Sequence, residues 1–186
     1  KTGAVWNPTY MPCRTKLDSW ESAHGLGYTR FSSKKDGVTA NLKCYIGKEN
    51  ILIYSLDIEC EDDRELEVYA CQEMGMMEYL REVQWQCYCK QLQNILYDGK
   101  NDVLVYEYFP DAQARPDETP YVFFCSDRKL NSYDADRSKF LGSYRSLREP
   151  VSIERGYCSD SRLRGGEAMF AGQVCLSCKA GKTESV

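Results

Sequence analysis

A chain of 186 residues with 42% hydrophobic side chains can bury a substantial core, and its length falls within the range of one domain. A formal charge of −4 supplies no basic field for a phosphate backbone, so composition speaks against nucleic acid and against an anionic membrane surface as partners. No apolar run approaches the roughly 20 residues that span a bilayer, and the start, Lys1-Thr2-Gly3-Ala4-Val5-Trp6, lacks the apolar stretch of a signal peptide.

Strand patterning begins at about Val38. Residues 38–46 (VTANLKCYI) alternate apolar with polar side chains, as a half-buried strand does. Gly47-Lys48-Glu49-Asn50 supplies a turn and 51–60 (ILIYSLDIEC) a second strand. Glu61-Asp62-Asp63 is then an acidic connection to a third strand over 64–74, and the three predict an antiparallel meander. Residues 75–92 fit either a helix face or the approach to a strand that carries Cys87 and Cys89; the expectation is a loop with a helical turn, then strand. Ile95-Leu96-Tyr97 and Val103-Leu104-Val105-Tyr106 flank a five-residue hairpin loop, 98–102 (DGKND), in which Gly99 is available for positive φ. Prolines and acidic side chains mark 109–120 as an exposed linker or long loop. Beyond it, 121–125 (YVFFC) predicts a buried strand, 126–149 irregular polar chain, 150–153 a brief pairing and 173–178 a late strand. Strands at turn-bounded intervals, without a helix longer than about three turns, predict an all-β sandwich.

Ten cysteines in a short chain would fit a secreted disulfide framework. Cys44, Cys60, Cys71 and Cys125 instead lie in or at the end of apolar strand-like runs, where a free thiol acts as a small hydrophobe, so free thiols in a reducing cytoplasm are expected. Cys175-Leu176-Ser177-Cys178 and Cys87-Tyr88-Cys89 offer four thiolates for zinc on paper. Residues three apart in a strand face opposite sides, however, and neither a metal nor another cofactor is expected.

His24 is the single histidine, and Gly25 and Gly27 beside it suggest a turn or close backbone approach; a structural imidazole and a ligand-touching one are both open. Glu73, Glu78 and Glu82 are spaced so that they could approach one another, as carboxylates do in glycoside cleavage, although a solvated acidic face explains them as well. Tyr79, Trp85 and Tyr88 beside Arg81, Gln84 and Gln86 combine aromatic faces with planar hydrogen-bonding groups, a set that suits sugar rings or ordinary packing.

Two segments carry a resemblance: His24-Gly25-Leu26-Gly27-Tyr28-Thr29-Arg30, and the stretch from Asp134 to Arg145 (DADRSKFLGSYR) with Pro150-Val151-Ser152-Ile153-Glu154-Arg155-Gly156. With Trp6-Asn7-Pro8-Thr9, Leu17-Asp18-Ser19-Trp20-Glu21 and Asp36-Gly37-Val38 in collinear order, the chain resembles the inverting glycoside phosphorylases of glycoside hydrolase family 94. It departs from them at Glu21-Ser22-Ala23-His24, where family members carry Glu-Cys-Arg-His.

The resemblance implies an all-β, antiparallel β-supersandwich of the galactose mutarotase type. Residues 1–186 would form a single β-sandwich domain, a fragment of a larger enzyme whose (α/α)6 domain holds the general acid and the phosphate site, so no catalytic residue is expected in this chain. It further implies a cytoplasmic homodimer that acts on β-linked oligosaccharides with inorganic phosphate as co-substrate. Residues 75–92 look like the loop that reaches a partner's active-site mouth, which makes Glu78, Arg81, Glu82, Gln84 and Trp85, with His24, the substrate-rim candidates. A free-standing carbohydrate-binding module and a secreted disulfide-stapled interaction protein are the alternatives.

Overall fold

Alternating apolar and polar side chains are realised as antiparallel sheet in the computed structural model, which describes residues 3–76, 79–109 and 121–186, without the side chains at 79, 81 and 82. The chain divides into two units, Lys1–Glu67 with Cys175–Val186, and Val68–Val174.

The first unit holds a sheet in the order β1-β2-β3-β4-β12. These are β1 Ser19–Gly25, β2 Tyr28–Lys35, β3 Val38–Ile46, β4 Leu52–Cys60 and β12 Thr183–Ser185. β3 and β4 lie where their alternation predicts: Val38 opposes Cys60 and Ala40 opposes Ile58, and all four are buried. The sheet begins earlier than Val38, because β1 and β2 pair along their whole length although their side chains are mostly polar. Backbone pairing closed by tight turns forms them; Asp36 and Gly37 both take positive φ, 49° and 75°, as the mirror-image two-residue hairpin turn requires.

The expected meander breaks after β4. β5 Arg64–Glu73 joins a different sheet, β5-β11-β9, with β11 Ala168–Cys178 and β9 Ser132–Asp136. Each acidic side chain of the connection is pinned: Glu61 by Lys34 at 2.6 Å, Asp62 by Arg64, and Asp63 by Lys179 at 2.8 Å and the Ala180 amide at 2.9 Å. β12 occupies the edge of β4 where β5 was expected, with Thr183 opposite Glu59.

The second unit contains the sheet β10-β6-β7-β8, formed by β6 Gln93–Asp98, β7 Val103–Tyr108, β8 Tyr121–Phe124 and β10 Leu163–Arg164. Ile95, Leu104, Tyr106, Ala135, Leu163 and Phe170 form its core. The β6–β7 hairpin is present, but Asp98 pairs with Val103 and the positive φ falls on Asp102, at 55°, rather than on Gly99. Asp102 accepts from the Tyr97 hydroxyl at 2.6 Å and the Leu130 amide at 2.9 Å, which holds an aspartate in a conformation that local side-chain bonding makes accessible.

Four expectations are corrected here. Residues 75–92 contain a 13-residue helix, α1 Tyr79–Gln91, interrupted at Trp85 (φ −130°, ψ 33°), in place of a strand. Residues 126–149 include β9 and α2 Arg137–Leu141, because the Asp136 carboxylate accepts from the Ser138 amide and caps the helix. Residues 150–153 do not pair: Pro150 stands at the N-cap of α3 Val151–Arg155, where a missing N–H costs nothing, and Gly156 at φ 82° ends it. β8 is not a buried strand; it alternates exposed with half-buried residues, and Cys125 is exposed. The linker expected over 109–120 lies outside the described residues apart from Phe109.

Candidate functional site

On α1, Leu80, Val83, Trp85 and Tyr88 are all more than half exposed, Gln84 and Gln86 are exposed, and Cys89 is the buried residue among its described side chains. A helix that withholds its large apolar side chains from the core is built to meet something else. The break at Trp85 turns the indole, 64% exposed, off the regular helical path. Arg81 and Glu82 lie on this helix with side chains outside the described residues, and Glu78 lies outside them altogether. Glu73, the third carboxylate of the expected group, is instead engaged by Arg137 at 2.6 Å.

His24 belongs to the other unit. Its imidazole is exposed, with Nδ1 3.1 Å from the Thr29 hydroxyl across the β1–β2 pair. The glycines beside it act as expected: Gly27 takes φ 80° in the turn, and a Cβ at Gly25 would overlap the Tyr28 ring, over which the Lys43 ammonium sits at 5.1 Å. Leu26, between them, is fully exposed at the tip.

The densest polar organisation lies in the second unit around Asp134, which is wholly buried. Its Oδ1 accepts from the Ser159 hydroxyl at 2.6 Å, the Ser161 hydroxyl at 2.7 Å and the Ser159 amide at 3.0 Å, and its Oδ2 accepts from the Ser152 hydroxyl at 2.9 Å. A buried carboxylate is tolerable because it is fully hydrogen-bonded. Beside it, the Gln173 side chain donates to the Tyr69 hydroxyl at 2.9 Å and the Gly156 carbonyl at 2.7 Å, and accepts from Ser132 at 2.6 Å. Cys158 is held between these groups, and burial followed by the Asp134 charge pushes its thiol up to about 12. Above the anchor lies a groove of about 710 Å³ whose lining includes Lys139, Arg145, Arg155, Arg162, Ser159 and Ser161, with no carboxylate in its wall.

A family model described as Glycosyl hydrolase 94, supersandwich domain, matches residues 1–186. The chain belongs to this supersandwich family. Its relatives include the solabiose phosphorylase of Paenibacillus borealis, 31% identical over 87% of this chain and 21% of that protein. The N,N'-diacetylchitobiose phosphorylase of Vibrio furnissii is 25% identical over 87% of this chain and 20% of that protein. The 3-O-beta-D-glucopyranosyl-beta-D-glucuronide phosphorylase of Paenibacillus borealis is 21% identical over 98% of this chain and 23% of that protein. The chain spans about one fifth of the length of these curated relatives.

In the supersandwich domain, the residues that carried the resemblance do architectural work. Asn7 accepts from the Thr9 amide at 2.8 Å and hydroxyl at 2.6 Å, an Asx turn. Phe140 and Leu141 fill a core cluster with Cys158, Met169 and Ala171, while Gly142 and Gly156, at φ 85° and 82°, end the two short helices. Arg137 bridges Glu73 and Glu167, and Glu167 also receives Lys90 at 2.7 Å, which holds its carboxyl below the usual range. None of the ten cysteines is in a disulfide. Within the two cysteine motifs, Cys175 is exposed and Cys178 buried, Cys87 exposed and Cys89 buried. Among the described residues no group of three or more His, Cys, Asp or Glu is placed to hold a metal. The groove's four cations, Lys139, Arg145, Arg155 and Arg162, are spread along the chain, and of these Lys139 and Arg145 fall in the stretch 126–149 read as irregular.

Proposed function

We propose that this supersandwich is the N-terminal domain of a cytoplasmic, homodimeric, inverting glycoside phosphorylase, in which inorganic phosphate cleaves a β-glucosidic bond. The carrying observation is the family match over residues 1–186, together with relatives that are phosphorylases of three different glycosides. The chain itself supplies no general acid; its part is to bind carbohydrate at the rim of the catalytic mouth and to help join the subunits. The exposed face of α1 supports that role, since Trp85 and Tyr88 offer apolar faces for sugar C–H groups and Gln84 offers hydrogen bonds to hydroxyls.

The test is Arg81→Ala and Trp85→Ala in the full-length protein, assayed in the synthetic direction against acceptors of increasing length. A raised KM for the longer acceptors with kcat retained is expected. Unchanged KM for every acceptor would contradict the rim assignment.

A further inference from the structure

The groove above Asp134 has the chemistry of an oxyanion site. Lys139, Arg145, Arg155 and Arg162 line it, and no carboxylate is among its lining residues. Arg145 is paired with Glu154. Among the described residues no ion pair engages Lys139, Arg155 or Arg162. Like charges gathered in one concavity repel one another, so the arrangement is relieved by an anion held between them. Guanidinium groups match phosphate oxygens through paired N–H donors, and an ammonium adds a point charge.

Two further observations narrow the ligand. Ser159 spends its hydroxyl proton on Asp134, at 2.6 Å, so what it turns to a ligand is acceptor lone pairs beside the cations. A phosphate attached to a hydroxyl-rich group meets both needs, since its oxygens face the cations while a hydroxyl donates to Ser159. A volume of about 710 Å³ is that of a small-molecule site.

We infer that this groove binds a phosphate group, either inorganic phosphate or the phosphomonoester of a sugar 1-phosphate. The choice of ligand rests on the phosphorylase reading, whereas the anion preference rests on the groove. The 186-residue protein is titrated by calorimetry in chloride buffer of fixed ionic strength with inorganic phosphate, glucose 1-phosphate and glucose. Saturable binding of phosphate and glucose 1-phosphate, weakened roughly tenfold or more by the exposed pair Lys139→Ala and Arg155→Ala and unchanged by Arg30→Ala in the other unit, is expected. Glucose 1-phosphate binding tenfold tighter than phosphate identifies the sugar ester as the ligand, and equal binding identifies the inorganic ion. Absence of saturation, equal binding of glucose, or a groove variant that binds like the parent would overturn the proposal. Phosphorolysis by the full-length protein is scored separately: its absence alongside groove-dependent phosphate binding counts against the phosphorylase reading alone.

Discussion

The β1–β2 hairpin and the 132–161 segment are equally conspicuous in the sequence, yet they are held by different physics. The hairpin is local: its pairing runs from Gly25 opposite Tyr28 outward, its special geometry rests on two glycines, and its tip is in solvent. The 132–161 segment is non-local, because one buried carboxylate collects donors 18 to 27 residues further along the chain and Gln173 ties in Ser132, Gly156 and Tyr69. A marked motif can thus encode a turn that tolerates injury or a knot that does not. The second region also carries the cations of the groove, so its rigidity positions charge.

This contrast can be broken by mutation. Asp134→Asn turns one of the two oxygens that together accept from three serine hydroxyls into a donor, and is expected to lower stability by about 3 kcal/mol in urea denaturation, since buried donors would then face one another. Gln173→Leu should cost about 2 kcal/mol, since donors would be buried without partners. Gly27→Ala places a Cβ at φ 80° with nothing nearby to clash, so the loss should be about 1 kcal/mol. If Gly27→Ala proved as damaging as Asp134→Asn, the distinction between a local and a non-local motif would fail.

Thiol chemistry sharpens the contrast further. Exposed Cys71, Cys87, Cys125 and Cys175 should react first with a disulfide reagent, whereas Cys158, pushed up to about 12, and Cys178, pushed up to about 11 by burial and the neighbouring Cys60, should react only on unfolding. Because these thiols stay protonated in the folded chain while their unfolded counterparts ionise near 9, the unfolded state binds fewer protons and stability falls as pH rises above about 9. Cys158→Ala should flatten that decline between about pH 9 and 10, read as the pH dependence of the denaturation midpoint.

Legibility followed the range of the interactions. β3 and β4 were readable because Val38, Ala40, Ile58 and Cys60 place their burial in the alternation itself. β1 and β2 were missed because SWESAHG and YTRFSSKK carry little apolar alternation and are specified by backbone pairing. The α1 region misled because its aromatic residues lie on an exposed, broken helix, so no buried stripe marks a period. At the sites, the glycine turn beside His24 was visible as two nearby glycines, whereas the role of Asp134 depends on serines far along the chain and has no local signature.

The most direct test of the central claim is to incubate the full-length protein with β-linked glucose disaccharides, with and without inorganic phosphate, and to follow the products by phosphorus and proton NMR. α-Configured sugar 1-phosphate is expected only when phosphate is present, in step with release of the second sugar. Cleavage at the same rate without phosphate, or saccharide binding with no turnover, would contradict it.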